Sequence, residues 1–349
     1  MFNINIRGGD IIVNYYQKIS SKRRNILIIA VFINLLFICF DLTIGNYELN
    51  IIEFLKGFFT HDADIIEKIV MIRLRIPKSL TCVVVGACLG VSGYYMQSIL
   101  KNPIASPFTL GISAAASCGA SFSILTGFPF VFMSLNIPLS AAIFSIICCV
   151  IMLVAIVGKK LNSTLMALFG VALNFFFLAI QSLLQYMADE REVQKMVNWV
   201  FGTVAKADMY GVTVTAINFL IFFIITYRYA WDLNVLNLSD DRAKSMGLDI
   251  NKIRIIIFIG SSVMTAVAVS YVGTIGFIGL LAPHLAKYLV GSDARYLAPL
   301  SSLLGAALML MASIISKTII PGGLLPIGII TNIIGVPFLA TIVFKRKKI

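Results

Sequence analysis

The chain has 349 residues, of which 59% are apolar and 13% are charged, and its formal net charge is +12. Soluble domains carry about 25% charged residues, so this composition excludes a cytosolic enzyme, a nucleic-acid-binding module and a disordered chain. The mean hydropathy of +0.94 predicts an all-α polytopic membrane protein. Basic residues collect in the cytoplasmic loops of such proteins, which explains the positive charge without a nucleic-acid partner.

Stretches without Asp, Glu, Lys or Arg divide the chain into ten predicted spans, because one span needs about 20 apolar residues. The longest uncharged run, 102–158, is too long for one helix and breaks into two spans near Gly127-Phe128-Pro129. The run 255–286 breaks near Gly273, and its second helix continues past the end of the run. The remaining spans are predicted at 25–40, 79–100, 161–188, 209–227, 296–316 and from Ile327 to residue 344.

The basic residues predict the orientation of these spans. With the N-terminus inside, the inner segments hold 19 of the 28 Lys and Arg residues and the outer segments hold 9, which favours two cytoplasmic termini in the plasma membrane. We therefore expect a cytoplasmic segment 1–24, one transmembrane domain 25–344 with a long inner loop 228–254, and a basic cytoplasmic tail 345–349. No small-residue cleavage site follows the first span, so we expect it to stay uncleaved.

The sequence contains no motif that would supply energy for transport. The phosphate-binding pattern G-x-x-x-x-G-K-[ST] is absent, and no chain of buried carboxylates or histidines crosses the predicted spans as in an ion-coupled carrier. A channel filter and an enzyme constellation are also missing. The six cysteines lie inside apolar runs, and His61 and His284 are the only histidines, so no metal site or cofactor is expected. The energy would come from a separate subunit.

The loop 228–254 is a candidate docking segment for such a subunit. Ser239 or Asp240 can cap a short helix whose first turn is acidic, which suits the helix dipole. Gly247 can end that helix in a left-handed turn. A short capped helix on the cytoplasmic face is expected of a segment that docks a soluble motor; the alternative interpretation is an ordinary polar connector.

Motif-like blocks follow one another in order along most of the chain. They are Arg73-Leu-Arg75-Ile-Pro77-Lys78, Asn102-Pro103-Ile-Ala105-Ser-Pro107, Leu110-Gly111-Ile112-Ser113, Trp199-Val-Phe-Gly202, the loop 228–254, Gly276-Phe-Ile-Gly279-Leu-Leu-Ala-Pro283-His284, Gly291-x-Asp293-x-Arg295 and Leu325-Pro326-Ile-Gly328 with Gly335-Val-Pro337-Phe338. Together these blocks resemble the FecCD family, the permease subunits of ABC importers for iron-siderophore, heme and cobalamin.

The resemblance implies an ABC type II importer permease fold. Members of the family are homodimers of ten-helix subunits, with two ATP-hydrolysing ABC subunits on the cytoplasmic side and an extracytoplasmic substrate-binding protein. The chain itself would then be a transport subunit and not an enzyme. The implied cargo is a ferric-siderophore-type iron chelate, with heme, cobalamin or another metal chelate as alternatives. An ion-coupled secondary transporter is the alternative from a different class.

The resemblance also assigns roles to particular residues. Coupling to the ATPase is implied for Leu238, Ser239, Ala243, Met246 and Gly247. Docking of the binding protein is implied for Arg75, Lys78 and Lys317, for which a solvated outer rim is the alternative. A cytoplasmic gate is implied for Asn102, Asn162 and Ser163, although Asn102-Pro103 could also be a turn that starts the next helix. The fifth and tenth spans would line the pathway through Asn174, Gln181 and Thr331.

The chain departs from the family pattern at a few of these positions. Ser239 stands where the coupling motif usually has glycine, and Ser313 stands where the family often has aspartate. Lys78 and Lys317 replace frequent arginines, and Leu324 replaces a common glutamate. A lysine keeps the charge but not the two-pronged donor of arginine, so docking is expected to rely more on electrostatic steering.

Overall fold

The computed structural model describes residues 4–45, 65–129, 135–159, 163–320 and 323–346, and the regular structure of these residues is helical throughout. The helices of the described residues are α1 (Ile4–Thr43), α2 (Ile65–Leu100), α3 (Ile112–Thr126), α4 (Asn136–Lys159), α5 (Ser163–Met187), α6 (Glu190–Val200), α7 (Met209–Tyr227), α8 (Ala230–Leu236), α9 (Asp240–Ser245), α10 (Ile250–Val272), α11 (Ile278–Val290), α12 (Ala294–Ile319) and α13 (Ile327–Arg346).

The predicted all-α fold with about ten transmembrane helices is confirmed. In the described residues, the helices long and apolar enough to cross a membrane are the seven numbered α1, α2, α4, α5, α7, α10 and α12. Three shorter apolar helices, α3, α11 and α13, complete the set. Each predicted span has its counterpart among these ten, and α1 begins as early as Ile4, so residue 24 lies inside one continuous helix.

Two of the predicted breaks between spans lie at glycines with left-handed backbone. Gly127 ends α3 with φ +75°, and Gly273 ends α10 with φ +79°. A Cβ atom at Gly273 would also lie 2.2 Å from the carbonyl oxygen of Trp199. Both positions therefore require glycine, and an uncharged run that is too long for one helix divides there.

The long helices α2, α10 and α12, together with the short helix α3, form the interior of the bundle. In the most apolar stretch of α2 and of α10, 67% of the residues are buried, and in that of α12 61% are buried. In the corresponding stretch of α5 only 22% of the residues are buried. The peripheral helices turn large apolar side chains outward, as expected of surfaces that face lipid or another subunit. The bundle therefore has a buried centre and a periphery that exposes apolar side chains.

The backbones of α2 and α12 touch along a row of glycines. A Cβ atom at Gly86 would lie 2.4 Å from the carbonyl oxygen of Gly305, and one at Gly305 would lie 2.1 Å from that of Gly86. A Cβ atom at Gly90 would lie 2.2 Å from the carbonyl oxygen of Ser301. Gly86 and Gly90 therefore serve helix packing, since only glycine allows such close approach.

Charged residues concealed two helical segments from the sequence pattern. α2 begins at Ile65, well before the predicted start at residue 79, and contains a π-helical stretch, Val70–Arg75. α6 lies between the fifth and sixth spans and begins with a capping box, in which Asp189 accepts from the Glu192 backbone and Glu192 accepts from that of Asp189. Both segments carry several charges, so a search for uncharged runs does not find them.

Candidate functional site

The loop between α7 and α10 is folded and lies at one end of the bundle. We call this end of the bundle the loop face. Ser239 caps α9 by accepting a hydrogen bond from the Arg242 backbone nitrogen at 3.1 Å. Gly247 follows α9 with φ +81°, and its nitrogen donates to the Lys244 carbonyl oxygen at 2.9 Å. The predicted short capped helix with a left-handed end is present.

The predicted coupling residues divide into an inner and an outer set. Ala243 is fully buried, so α9 packs onto the bundle through this residue. Leu238 and Met246 are each 65% exposed at the two ends of α9. A contact with an ATPase would therefore use Leu238, Met246 and the turn at Gly247, while Ala243 could act only by holding α9 in place.

Asp240 connects α9 to two membrane helices. Its Oδ1 lies 2.7 Å from Lys101 Nζ, and its Oδ2 lies 3.0 Å from Arg254 Nη2. Burial raises the pKa of Asp240, but the hydrogen bond from Lys101 and the charge of Arg254 outweigh it and hold the pKa below the ordinary carboxyl value. Asp240 is therefore charged at neutral pH and joins α9 to the end of α2 and the start of α10.

Lys101 leads directly into the predicted gate residue Asn102. It has a left-handed backbone with φ +48°, uncommon for a residue other than glycine. Asn102 Oδ1 accepts from the Ile104 nitrogen at 3.1 Å, within a series of turns that ends where α3 begins at Ile112. Asn102-Pro103 is thus a turn, although not the first turn of α3.

The other two predicted gate residues are less informative. Asn162 lies outside the described residues, and Ser163 is the first residue of α5. The role of all three residues in a gate stays a prediction.

Asp293 holds a second cluster on the loop face. Its carboxylate accepts from Arg295 Nη2 at 2.7 Å, from Arg23 Nη1 at 3.1 Å and from Asn234 Nδ2 at 3.0 Å. The Arg295 guanidinium also lies 4.0 Å from the ring centroid of Trp231, a cation–π contact. Hydrogen bonds from Arg295 and Asn234 hold the pKa of Asp293 below the ordinary value, although burial raises it. The cluster joins α1, α8 and α12.

At the opposite end of the bundle, which we call the far rim, two of the three predicted docking residues are buried. Lys317 Nζ donates to Asp41 Oδ1 and to its carbonyl oxygen, both at 2.7 Å. Arg75 Nη1 donates to the Leu42 and Thr43 carbonyl oxygens at 2.6 and 3.0 Å. These two cations therefore bind the carboxyl end of α1, while Lys78 is half-buried. Their role in docking a partner stays a prediction.

Asp41 is a buried charged residue that a search for uncharged runs does not single out, because it lies just after the first predicted span. It is fully buried, and it accepts hydrogen bonds from Ser79 and Ser313 in addition to Lys317. Ser313 is a sequence signal for this arrangement, since the family often has aspartate at that position. In this chain the Asp41 carboxylate from α1 lies there instead. Asp41 forms an ion pair at the end of a span, not a chain across the bundle.

The predicted pathway residues occupy different environments. Gln181 is 6% exposed, and its Oε1 accepts from Ser117 Oγ at 2.7 Å, which joins α5 to α3. Thr331 is 3% exposed and donates to the Gly328 carbonyl oxygen at 3.1 Å. Asn174 is half-buried on α5. Two of the three side chains thus pack inside the subunit, and a pathway role for the set stays a prediction.

An apolar cavity of about 330 Å³ lies beside the Asn102 turns. It is lined from α5 by Val171, from α13 by Leu339, and from the start of α11 by Phe277. Phe277 has a left-handed backbone with φ +65°. It directly precedes α11, a helix of only 13 residues. The wall of this cavity thus includes α5 and α13, the two helices that the sequence assigns to the pathway, and the predicted gate turn at Asn102.

Comparison with known proteins identifies the family. The family model described as the FecCD transport family matches residues 31–345 of the chain. The chain belongs to the FecCD transport family. It is therefore a polytopic ABC importer permease, a transport subunit without a catalytic role of its own.

Relatives of this FecCD chain agree with the assignment. It is 31% identical to the Fe(3+)-citrate import system permease protein of Bacillus subtilis, over 95% of this chain and 97% of that protein. It is 29% identical to the hemin transport system permease protein of Yersinia pestis, over 80% and 84%. A solved structure described as a metal-chelate type ABC transporter in an inward-facing conformation matches with a TM-score of 0.82 and 28% identity, over 92% of this chain and 99% of that chain.

Proposed function

We propose that this FecCD chain is one half of a homodimeric permease that carries a ferric-siderophore-type iron chelate across the bacterial cytoplasmic membrane. The ferric citrate permease and the metal-chelate type transporter among the similar proteins support a chelated metal as cargo. The hemin permease keeps heme as an alternative cargo. Cobalamin and other metal chelates remain further alternatives, because an apolar pathway wall discriminates little between large chelates.

The loop face is proposed as the cytoplasmic face, where two ATPase subunits bind. The observation that carries this proposal is the pair Leu238 and Met246, which expose apolar side chains on either side of a short capped helix. An exposed apolar pair at the rim of a rigid element is typical of a protein-binding surface. The far rim is then proposed as the docking face of the substrate-binding protein, with Lys78 as its most accessible predicted cation.

The ion pairs of Asp240 suggest how a movement of α9 would reach the gate. ATP-driven closure of the ATPase pair would displace α9, and Asp240 would transmit this displacement to Lys101 and to the adjacent Asn102 turns. Those turns border the apolar cavity between α5 and α13. Alternation between outward-open and inward-open states would follow from a tilt of these helices.

The docking proposal is tested with the double variant Leu238→Glu/Met246→Glu. The permease is co-expressed with the ABC ATPase of the same transport system, and we measure both the ATPase retained on purification and ATP-dependent uptake in vesicles. We expect the variant to insert normally but to lose ATPase and uptake, because two charges replace the apolar contact. Lys252→Glu is the control, since Lys252 is exposed on the same face but lies outside α9.

Two results would contradict the proposal. One is full ATPase retention and uptake in the double variant. The other is uptake by the purified permease without any ATPase that collapses on addition of a protonophore, which is the behaviour of the ion-coupled alternative.

A further inference from the structure

A large cavity lies on the loop face, between the coupling loop and the bundle. Its volume is about 630 Å³, and its wall is formed by the end of α2, by α8, by the end of α11 and by the start of α12. Its polar lining residues are Tyr94, Gln97, Ser98, Lys101, Asn234, Asn237, His284, Lys287 and Ser292. This lining offers basic side chains and neutral donors but contains neither Asp nor Glu.

The charges around this cavity are unbalanced. Asp240 is shared by Lys101 and Arg254, and Asp293 is shared by two arginines. Lys287, on the cavity wall, forms no ion pair with another described residue. Of these charged side chains only Lys101 and Lys287 line the cavity, so its wall carries two lysines, one of them shared with Asp240, and no carboxylate. Scattered surface lysines would not make a site, but these two lysines lie on the wall of one concave space.

A buried donor on the same wall lacks an acceptor. The side-chain nitrogen Nε2 of Gln97 is buried and donates to no described residue. Nearly all buried polar groups in proteins have a hydrogen-bond partner, so an orphan donor needs an explanation. An acceptor bound in the cavity would supply that partner, and the same acceptor would face Lys101 and Lys287.

We propose that this cavity binds a phosphate-class anion through Lys101 and Lys287, with Gln97 as a neutral donor. The site goes beyond the transport role proposed above, and binding of the anion does not require the ATPase. Because Lys101 also holds Asp240, a bound anion would compete for Lys101 and weaken the link between α9 and the Asn102 turns. Occupancy would thereby lower the coupling between ATP hydrolysis and transport.

The proposal is tested on the purified full chain in nanodiscs of phosphatidylcholine. Inorganic phosphate is titrated against chloride at equal ionic strength, and the melting temperature is recorded. We expect a saturable rise with phosphate that chloride does not reproduce. Lys287→Gln should weaken the apparent affinity for phosphate by about tenfold. Lys252→Gln, which removes an exposed lysine of the same face outside the cavity, should leave the affinity unchanged.

A second variant keeps the proposal open to refutation if Lys287 contributes little. Gln97→Leu removes the orphan donor, so it should raise the melting temperature without phosphate and at the same time weaken the phosphate response. A general loss of folding would lower the melting temperature instead. If neither variant changes the phosphate response, or if chloride and phosphate act alike, the cavity is not an anion site.

The phosphate group could belong to a soluble anion or to the headgroup of an acidic lipid. Nanodiscs that contain phosphatidylglycerol distinguish the two sources. If a headgroup occupies the site, the response to free phosphate disappears in these nanodiscs, and native mass spectrometry finds a retained lipid that Lys287→Gln loses. If the response persists, the natural ligand is a soluble anion. Either result supports the proposal. If free phosphate changes the melting temperature in neither lipid, the proposal is contradicted.

Discussion

Lys317 and Asp41 are 276 positions apart in the sequence and form a buried ion pair in which Lys317 Nζ lies 2.7 Å from Asp41 Oδ1. Asp41 is fully buried, and the side chain of Lys317 is only 8% exposed. The pair joins the last turn of α1 to the last turn of α12, and it includes a cation that the sequence assigns to the docking of a partner. The contribution of this ion pair to stability can therefore be measured separately from a role of Lys317 in docking.

We expect Asp41→Asn to destabilise the permease by about 3–5 kcal/mol, because it leaves the Lys317 ammonium buried without a counter-ion. The double variant Asp41→Asn/Lys317→Met should regain most of this loss, since no buried charge then remains unpaired. Thermal unfolding in detergent measures both effects. If Asp41→Asn unfolds like the wild type, the pair does not hold α1. If the double variant is stable but fails to bind the substrate-binding protein, Lys317 also serves in docking.

Asp240 gives a prediction about coupling. Asp240→Asn removes the ionised partner of Lys101 and Arg254, so we expect ATP hydrolysis to continue while ATP-dependent uptake falls by roughly tenfold. The matched control is Asp241→Asn, which alters an exposed carboxylate on the same helix. The two rates are measured side by side in vesicles. Equal loss of hydrolysis and uptake would point to failed docking and not to failed transmission.

Asp293 predicts a dependence of stability on pH. Its pKa is lower in the folded chain than in the unfolded chain, so its stabilising effect is complete above the ordinary carboxyl pKa of about 3.9 and is lost as pH falls through the lower folded value. We expect Asp293→Asn to melt below the wild type from pH 5 to pH 8, with the gap closing at more acidic pH. A gap that stays constant down to pH 3 contradicts the assignment.

Two glycines in different surroundings give a matched pair of variants. A Cβ atom at Gly93 would lie 1.6 Å from the carbonyl oxygen of Gly279, whereas one at Gly247 would meet no atom within 4 Å. We expect Gly93→Ala to separate α2 from α11 and to prevent stable insertion. Gly247→Ala should cost only about 1–2 kcal/mol, because the φ of +81° remains strained for alanine. Expression yield and melting temperature check both; similar effects would contradict the packing argument.

The number and position of the spans could be predicted from the sequence because charge is costly in lipid. An uncharged run marks a span whatever its neighbours are, and Gly127 and Gly273 divide the two longest runs. The same rule misses α6 and the first part of α2, because both segments contain several charged residues. Local sequence does recover the α9 cap, because Ser239 and Gly247 act within a few residues.

Contacts between distant residues could not be predicted in this way. No local pattern shows that Asp41 meets Lys317, or that Asp240 meets Lys101 and Arg254. A single sequence also does not show which side of a helix a residue faces. Gln181 pairs with a neighbouring helix, and its predicted pathway role stays a prediction. These features depend on how the helices pack, and packing follows from many weak contacts that a single sequence does not reveal.

The glycine seam between α2 and α12 limits how the protein can move. With Gly86 and Gly305 in backbone contact, neither helix can slide or rotate against the other without steric overlap. The two helices therefore behave as one rigid unit. A cycle that exposes the cargo first to one side and then to the other must bend the chain elsewhere. The less buried outer helices, α5 among them, are the part of the subunit that can move against this unit.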